Sequence, residues 1–256
     1  MNLYIDSSNF STATTVYLDI LLTEVAPDGY YSNTVYFRQQ IDGLLIDVES
    51  CPNTPCRNVL IGNQIWTSCN LAVDTYSDGT PIPEVSSPTE WADLTTGAWC
   101  YYFDNPSNGT TYGKLYNWYA VAGIYDTESF YDPLLRKKLA PDGYHVPSIA
   151  EVNTMVTYLG GTNIAGGKLK EVGTTHWNTP NTGATNSTNF NLLPGGYRND
   201  FDGNFGWINE SALLWTTSQD VDTEQPISYR AIYNASYLST PRYNMQYGFS
   251  VRLIRD

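Results

Sequence analysis

Val16, Leu18 and Ile20 alternate with Tyr17 and Asp19, and Leu44, Ile46 and Val48 alternate with Leu45 and Asp47. A period of two is that of strands with one face turned inward. Between these runs, Pro27-Asp28-Gly29 predicts a turn: Pro presets φ, Asp caps, and Gly takes the position hostile to a Cβ. Few large aliphatic side chains fall in this stretch, so residues 1–57 are expected to form a small β unit that leans on a partner. The segment 51–57, with Pro52 and Pro55, is the expected boundary.

From Val59 the pattern changes. Val59-Leu60-Ile61-Gly62-Asn63-Gln64-Ile65-Trp66 predicts a hairpin with Gly62-Asn63 as its turn. Residues 74–110 are punctuated by Pro and Gly and show little periodicity. Residues 112–121 bring Leu115, Trp118 and Tyr119 onto one helical face. A second helix is better marked. Ser148 and Glu151 form a capping box after Pro147; Ile149, Val152, Met155, Val156 and Leu159 make an apolar stripe; Gly160-Gly161 ends it. Such a stripe is core packing. Later the chain returns to short strands, with Asp202-Gly203 as a hairpin turn between Phe201 and Phe205, and Phe249-Ser250-Val251-Arg252-Leu253-Ile254 alternating again. Early helices and late strands predict an α+β domain over residues 58–256. The string Ala-Pro-Asp-Gly-Tyr occurs at positions 26–30 and 140–144, but its flanks do not match, so it reads as shared turn chemistry.

Composition narrows the function. Charged residues make up 15% of the chain, against roughly 25% in ordinary soluble domains. Tyr is abundant at 21, with Asn, Thr and Ser crowding the loops, a chemistry shared with antibody paratopes. The net charge is −13 and the densest basic run, Arg136-Lys137-Lys138, is three residues long. Phosphate backbones are bound by clustered cations, so nucleic acid is not an expected partner. No stretch approaches the roughly 18 apolar residues of a membrane span. The first residues carry neither a basic nor an apolar signal region. Two expectations follow: a signal removed from the chain, or synthesis in a cytoplasm with release by lysis, as for virion components. Cys51 and Cys56 suit a small closed loop, half a metal site, a linker disulfide or two free thiols, and no second His stands near His145 or His176 to complete a zinc site.

A series of blocks then resembles a known family. Ile61-Gly62-Asn63-Gln64-Ile65-Trp66 with Asn70-Leu71 is similar to the opening of the Fibrobacter succinogenes major paralogous domain. The series continues through Gly97-Ala98-Trp99-Cys100-Tyr101-Tyr102, Tyr112-Gly113-Lys114-Leu115-Tyr116-Asn117-Trp118-Tyr119-Ala120-Val121 and Pro141-Asp142-Gly143-Tyr144-His145-Val146-Pro147-Ser148. Ala165-Gly166-Gly167-Lys168-Leu169-Lys170-Glu171, Leu193-Pro194-Gly195-Gly196-Tyr197-Arg198, Leu214-Trp215-Thr216-Thr217-Ser218 and Gly248-Phe249-Ser250-Val251-Arg252 complete it in family order. The resemblance implies a C-type-lectin-like fold with two helices and short antiparallel strands. In such a fold the strand near Val59 pairs with the stretch 250–255 and a variable loop region displays the binding face. It also implies surface proteins of Bacteroidetes and their phages, some diversified by retroelements. Members commonly pair the Cys of Gly-Ala-x-Cys with one before the Pro-x-Gly-x-His-Val-Pro block; here that position holds Lys138-Leu139-Ala140, which leaves Cys69 as a substitute partner for Cys100. Residues 1–50, with Arg38-Gln39-Gln40, weakly resemble N-terminal modules of Bacteroidetes phage structural proteins.

Catalytic chemistry is not expected. Formylglycine-generating enzymes share the lectin-like architecture and use two late Cys, but no Cys follows Cys100. No nucleophile elbow, phosphate loop or His-Glu-x-x-His is present. His145 reads as structural and His176 has no implied partner. Asp200, Asp202 and Asn204 carry oxygens that calcium favours, but the spacing lacks a closing bidentate Glu, and Asp202-Gly203 is first a turn. The expected ligand-binding face is Tyr229, Tyr233, Asn234, Ser236, Tyr237, Tyr243, Asn244 and Tyr247, set against the plainer reading of edge strands with outward Tyr. The leading expectation is a non-enzymatic, cofactor-free head or tail fibre protein on the virion surface of a Bacteroidetes phage. Its N-terminal module would join other virion structural proteins, its lectin-like domain would bind host-surface glycan or protein, and it would assemble as a homotrimer. The alternatives are a bacterial cell-surface or secreted adhesin, or a capsid decoration protein.

Overall fold

The computed structural model describes residues 4–6, 13–18, 22, 24–26, 29–32, 36–41, 44–50 and 56–256. The chain divides into two compact units, residues 1–55 and 56–256. In the first, β1 (Tyr4–Ile5) pairs antiparallel with β2 (Val16–Tyr17). β3 (Gly29–Ser32), β4 (Tyr36–Ile41) and β5 (Leu44–Ser50) form an antiparallel meander. The side chain of Gln40 is buried and bridges two segments, accepting from the Val16 amide at 2.7 Å and donating to the Ala26 carbonyl at 2.7 Å. Among the described residues of this unit, Ala13, Val16 and Ala26 are buried, with Ile5 and Leu18 against them. Pro27, Asp28, Asp19 and Ile20, where a turn and a strand end were expected, lie outside the described residues.

The second unit starts with β6 (Asn58–Ile61) and β7 (Gln64–Thr67), a hairpin in which Leu60 faces Ile65 and Ile61 faces Gln64. Gly62 supplies the left-handed residue of its turn at φ +65°. Then come α1 (Pro88–Ala92), β8 (Trp99–Cys100), α2 (Pro106–Tyr112), β9 (Leu115–Tyr116), α3 (Trp118–Val121) and α4 (Thr127–Tyr131). β10 (Tyr144–His145) leads into α5 (Ile149–Tyr158) and α6 (Thr162–Leu169). The chain finishes in β11 (Gly195–Arg198), β12 (Phe205–Ile208), β13 (Ser211–Gln219), β14 (Pro226–Ile232), β15 (Leu238–Ser239) and β16 (Ile254–Arg255). The architecture is α+β. Among the described residues no helix is long and apolar enough to cross a membrane.

Several expectations change in detail. The helix expected over residues 112–121 is broken: α2 ends at Tyr112, the next residues enter β9 opposite β8, and Asn117 caps the short α3 by accepting from Ala120 N. Tertiary pairing of Leu115 and Tyr116 overrides the helical spacing. The alternating stretch after Phe249 is mostly single bridges, Tyr116 to Phe249 and Leu214 to Ser250, with regular strand only at β16. The connection of β11 to β12 is a six-residue turn over 199–204, closed by Asn199 N donating to Asn204 O, rather than a two-residue turn. Cys56 and Cys69 form a disulfide and Cys100 is a buried free thiol, so Cys69 does not serve Cys100; Cys51 lies outside the described residues.

Two sheets organise the unit. The first, in order β10-β16-β7-β6, joins the two ends of the domain: Ile254 faces Trp66, and Thr67 N donates to Leu253 O. The terminal strand pairs with β7, the inner strand of the hairpin, because β6 is the edge. The second sheet, in order β12-β11-β13-β14-β15, divides two cores. Ala212, Leu214, Tyr229 and Ala231 lie in one core with Val152, Met155 and Val156 of α5 and with Trp66. Leu213 and Trp215 lie in the other, with Tyr116, Trp118 and Phe249. The alternation of β13 and β14 therefore feeds opposite faces. The capping box at Ser148 and Glu151 forms as expected.

The same Glu151 reaches His145, whose ring is held between Glu151 Oε1 at 2.8 Å and Asp256 Oδ1 at 2.7 Å. This clamp ties β10, the start of α5 and the residue after β16. Burial alone lowers the imidazole pKa, but the bonds to Asp256 and Glu151 outweigh it, and the net shift is upward from 6.5. Glu151 moves downward from 4.5: burial opposes this, while Ser148 and His145 outweigh it. Asp256 is lowered chiefly by His145. The imidazole contribution is complete below its ordinary pKa of 6.5 and is lost as pH rises through the raised value; the carboxylate contributions are lost only as pH falls through their lowered values. The thermal midpoint of the chain, relative to that of His145→Gln, should therefore fall as pH rises from about 6.5 through the raised imidazole pKa. A constant difference across that range in calorimetric scans would contradict the clamp.

Candidate binding surface

The residues expected to form one binding face separate into three environments. Tyr229 is fully buried, at 0% exposure, in the core beneath α5 and α6. It is not part of a face, because it points to the same side of β14 as Ala231 and is covered by the helices. Tyr233, Asn234, Ser236 and Tyr237 form a turn docked on α6. Gly167 N donates to Ser236 O at 2.8 Å, and a Cβ on Gly183 would meet Ser236 Cβ at 2.7 Å. Lys170 Nζ donates to Ile232 O and Ala235 O at 3.0 and 2.9 Å. Tyr233 packs against the same core as Tyr229, and Tyr237 is exposed at 42%. The turn is thus a structural seam with an exposed outer edge.

Tyr243, Asn244 and Tyr247 lie on the opposite side of the sheet, with partners that sequence position does not reveal. An arc of rings runs Trp207, Tyr197, Tyr247, Tyr243, with successive centroids 4.8, 5.9 and 4.9 Å apart. Phe249 backs the arc at 4.8 Å from Tyr243 and 5.5 Å from Tyr247. Arg230, next to Tyr229 but on the other face of β14, lies 4.2 Å over the Trp207 ring and donates from Nε to Ser211 Oγ at 2.8 Å. β11, β12 and β14 each contribute one of Tyr197, Trp207 and Arg230, so the sheet sets their spacing.

Trp207 is the most unusual member. Of the seven Trp, those at 91, 99, 118, 177 and 215 donate their indole N–H to backbone carbonyls inside the fold. Trp207 is 40% exposed and adopts φ +58°, a left-handed conformation that costs a bulky residue of order 1 kcal/mol or more. An exposed indole held in a strained backbone, against an arginine, is a feature of a surface shaped for contact.

One rim of the arc is the turn 199–204. A Cβ on Gly203 (φ +64°) would meet Pro88 O at 2.3 Å, so the turn sits tightly on α1. Asn199 Oδ1 accepts from Phe201 N, and Phe201 is 88% exposed at the tip. Asp202 accepts from both the backbone and side-chain nitrogens of Asn204, and Asp200 accepts from Asn244 Nδ2 at 2.6 Å. The oxygens of the weak calcium candidate, Asp200, Asp202 and Asn204, therefore build the turn and its link to Asn244. Among the described residues no cluster of three His, Cys, Asp or Glu could hold a metal. Burial first and the Asp200 charge second push the Tyr247 phenol up to about 12, so it is a neutral hydroxyl at physiological pH.

His176, for which no partner was expected, has its Nδ1 2.9 Å from Glu171 Oε2, while Asn209 Nδ2 donates to its carbonyl. Tyr197, Trp207 and Arg230 were missed from the site. An exposed aromatic between Gly206 and Asn209, in a short strand after a tight turn, was the available signal for Trp207.

The fold and this surface define an α+β domain with α5 and α6 on one side of its main sheet and, on the other, α3 and an aromatic arc. The chain matches the family model of the Fibrobacter succinogenes major domain over residues 59–255, and it belongs to that family. No curated protein and no solved structure matches the chain.

If Tyr229 is core, its hydroxyl is a liability: it is buried without a hydrogen-bond partner among the described residues. Tyr229→Phe should leave stability unchanged or raise it by about 1 kcal/mol in urea unfolding. A loss above about 2 kcal/mol would show that the hydroxyl is bonded and the core reading incomplete.

Proposed function

We propose that this chain is a receptor-binding protein of a virion surface, in which a C-type-lectin-like domain contacts the host through the arc of Trp207, Tyr197, Tyr247 and Tyr243 around Arg230. The observation that carries this reading is the exposed, left-handed Trp207 lying against Arg230 on the sheet face away from α5 and α6. Rigid amphipathic rings bind at small entropic cost, and Trp, Tyr and Arg dominate the energetics of contact surfaces. The lectin-like assignment is supported by the junction of the domain's ends through β7 and β16. Tyr, Asn and Asp at the rim supply hydroxyl, amide and carboxylate groups suited to a glycan or a polar protein epitope. In this reading the N-terminal unit joins other virion proteins, the assembly is a homotrimer, and the domain carries out no catalysis. His145 and His176, the two imidazoles of the chain, both engage carboxylates away from the arc.

Labelled full-length chain, presented multivalently, should bind a subset of gut Bacteroidetes strains. Trp207→Ala and Tyr247→Ala should each weaken that binding about tenfold or more, as expected for central aromatic contacts. Tyr131→Ala, at an exposed ring on α4, should leave it unchanged. Binding to no strain would favour a decoration role, and equal loss from all three variants would place the contact elsewhere.

A further inference from the structure

We infer that the ligand of this surface is an acidic saccharide whose carboxylate or sulfate group sits on Arg230. This deepens the proposed function and rests on the arc being the binding surface. Four other arginines of the domain have their charge answered from within. Arg198 donates to the carbonyls of Gly203, Val85 and Ser86 and lies 3.5 Å from Asp104. Arg252 donates to three carbonyls and to Asn70. Arg136 donates to Ser129 O and Phe130 O, and Arg242 pairs with Asp220 at 2.5 Å.

Arg230 differs. Its Nε is anchored on the buried Ser211 hydroxyl, and its guanidinium lies over the Trp207 ring and bonds the Tyr243 side chain, yet no carboxylate stands within ion-pair distance of it among the described residues. The nearby acidic side chains are otherwise engaged, Asp202 by Asn204 and Asp200 by Asn244. A guanidinium fixed in orientation and stacked on an indole loses little entropy on forming a two-pronged bond to a planar anion. The adjoining rings of Tyr197, Tyr243 and Tyr247 offer apolar surface for the C–H faces of a sugar and hydroxyls for its periphery. At a net charge of −13, the chain as a whole repels polyanions, so capture of one requires a local site such as this.

The test is affinity electrophoresis of the full chain at low ionic strength in gels containing polygalacturonate, polysialic acid, dextran sulfate or neutral dextran. Retardation by at least one of the acidic polymers and not by dextran is expected; which polymers act separates carboxylate from sulfate recognition. Arg230→Gln should weaken retardation about tenfold or more, the scale of a lost charge-assisted hydrogen bond. Arg230→Lys should fall between, because it keeps the charge and loses the fork. Arg57→Gln, an equal charge change at an exposed position, should have no effect. Competition of wild-type retardation by free glucuronate or sulfated glucose, but not by glucose, reads the inference even if a variant fails to fold. Retardation by none of the acidic polymers, or full retardation of folded Arg230→Gln, would overturn it. Bacterial binding lost on Trp207→Ala but kept by Arg230→Gln would overturn the acidic ligand alone. Bacterial binding that ignores both changes would overturn the binding surface itself.

Discussion

The domain over residues 56–256 depends on buried cations that bond the carbonyls of its irregular segments. Much of this unit is loop, and buried carbonyls without a sheet or helix partner must find donors elsewhere. Lys170 supplies them to Thr182, Ile232 and Ala235; Arg252 to Thr67, Phe190 and Asn191; Arg198 to Val85, Ser86 and Gly203. All three side chains are fully or almost fully buried. Desolvating a cation is costly, and three carbonyls with an aromatic face are the arrangement that offsets it. Burial draws Arg252 down to about 9 and Lys170 to about 8, so both remain mainly charged at neutral pH. The indoles of Trp91, Trp99, Trp118, Trp177 and Trp215 do the same work with neutral N–H donors. A chain poor in charge thus commits several of its cations to its interior.

This scheme decides which surface is free to act. Lys170 and the glycines of α6 fix the turn at 233–237, so its Tyr and Ser residues serve packing as much as display. Arg198 secures β11 against the segment before α1, and with it the turn 199–204. What stays accessible on the side away from α5 and α6 is the stretch from Arg242 to Tyr247, meeting Tyr197 and Trp207 across the sheet. Side chains there are tied by ring contacts and by the Asp200 to Asn244 bond, while Trp118 N and Trp91 Nε1 hold the backbone at Met245 O and Gln246 O. A rigid scaffold carrying an adaptable polar and aromatic rim is the usual arrangement for recognition.

Much of the fold was legible because local chemistry and global structure agree. Ser148 and Glu151 announce α5, Gly62-Asn63 announces the β6 to β7 turn, and the ordered blocks announce the family. The helix expected through Leu115 and Trp118 failed because pairing of β8 with β9 overrides a short helical spacing. The site was only half legible. Counting Tyr in the terminal stretch gathered Tyr229 with Tyr243, but a period of two sends Tyr229 inward and Arg230 outward, and sequence does not mark which face is covered. Tyr197 and Trp207 were missed because only sheet pairing brings them to residues 40 to 50 positions later. The cations of the Lys170, Arg198 and Arg252 blocks gave no sign of their role, since carbonyl acceptors carry no sequence signature.

Hydroxyl-radical footprinting of the full chain on cells that bind it, compared with the free chain, shows whether the aromatic arc is the contact surface. Reduced oxidation at Trp207, Tyr243 and Tyr247 is expected, with no change at Tyr158 on α5 and Tyr131 on α4. Protection at Tyr158 or Tyr131, with Trp207 oxidised as in the free chain, would contradict it.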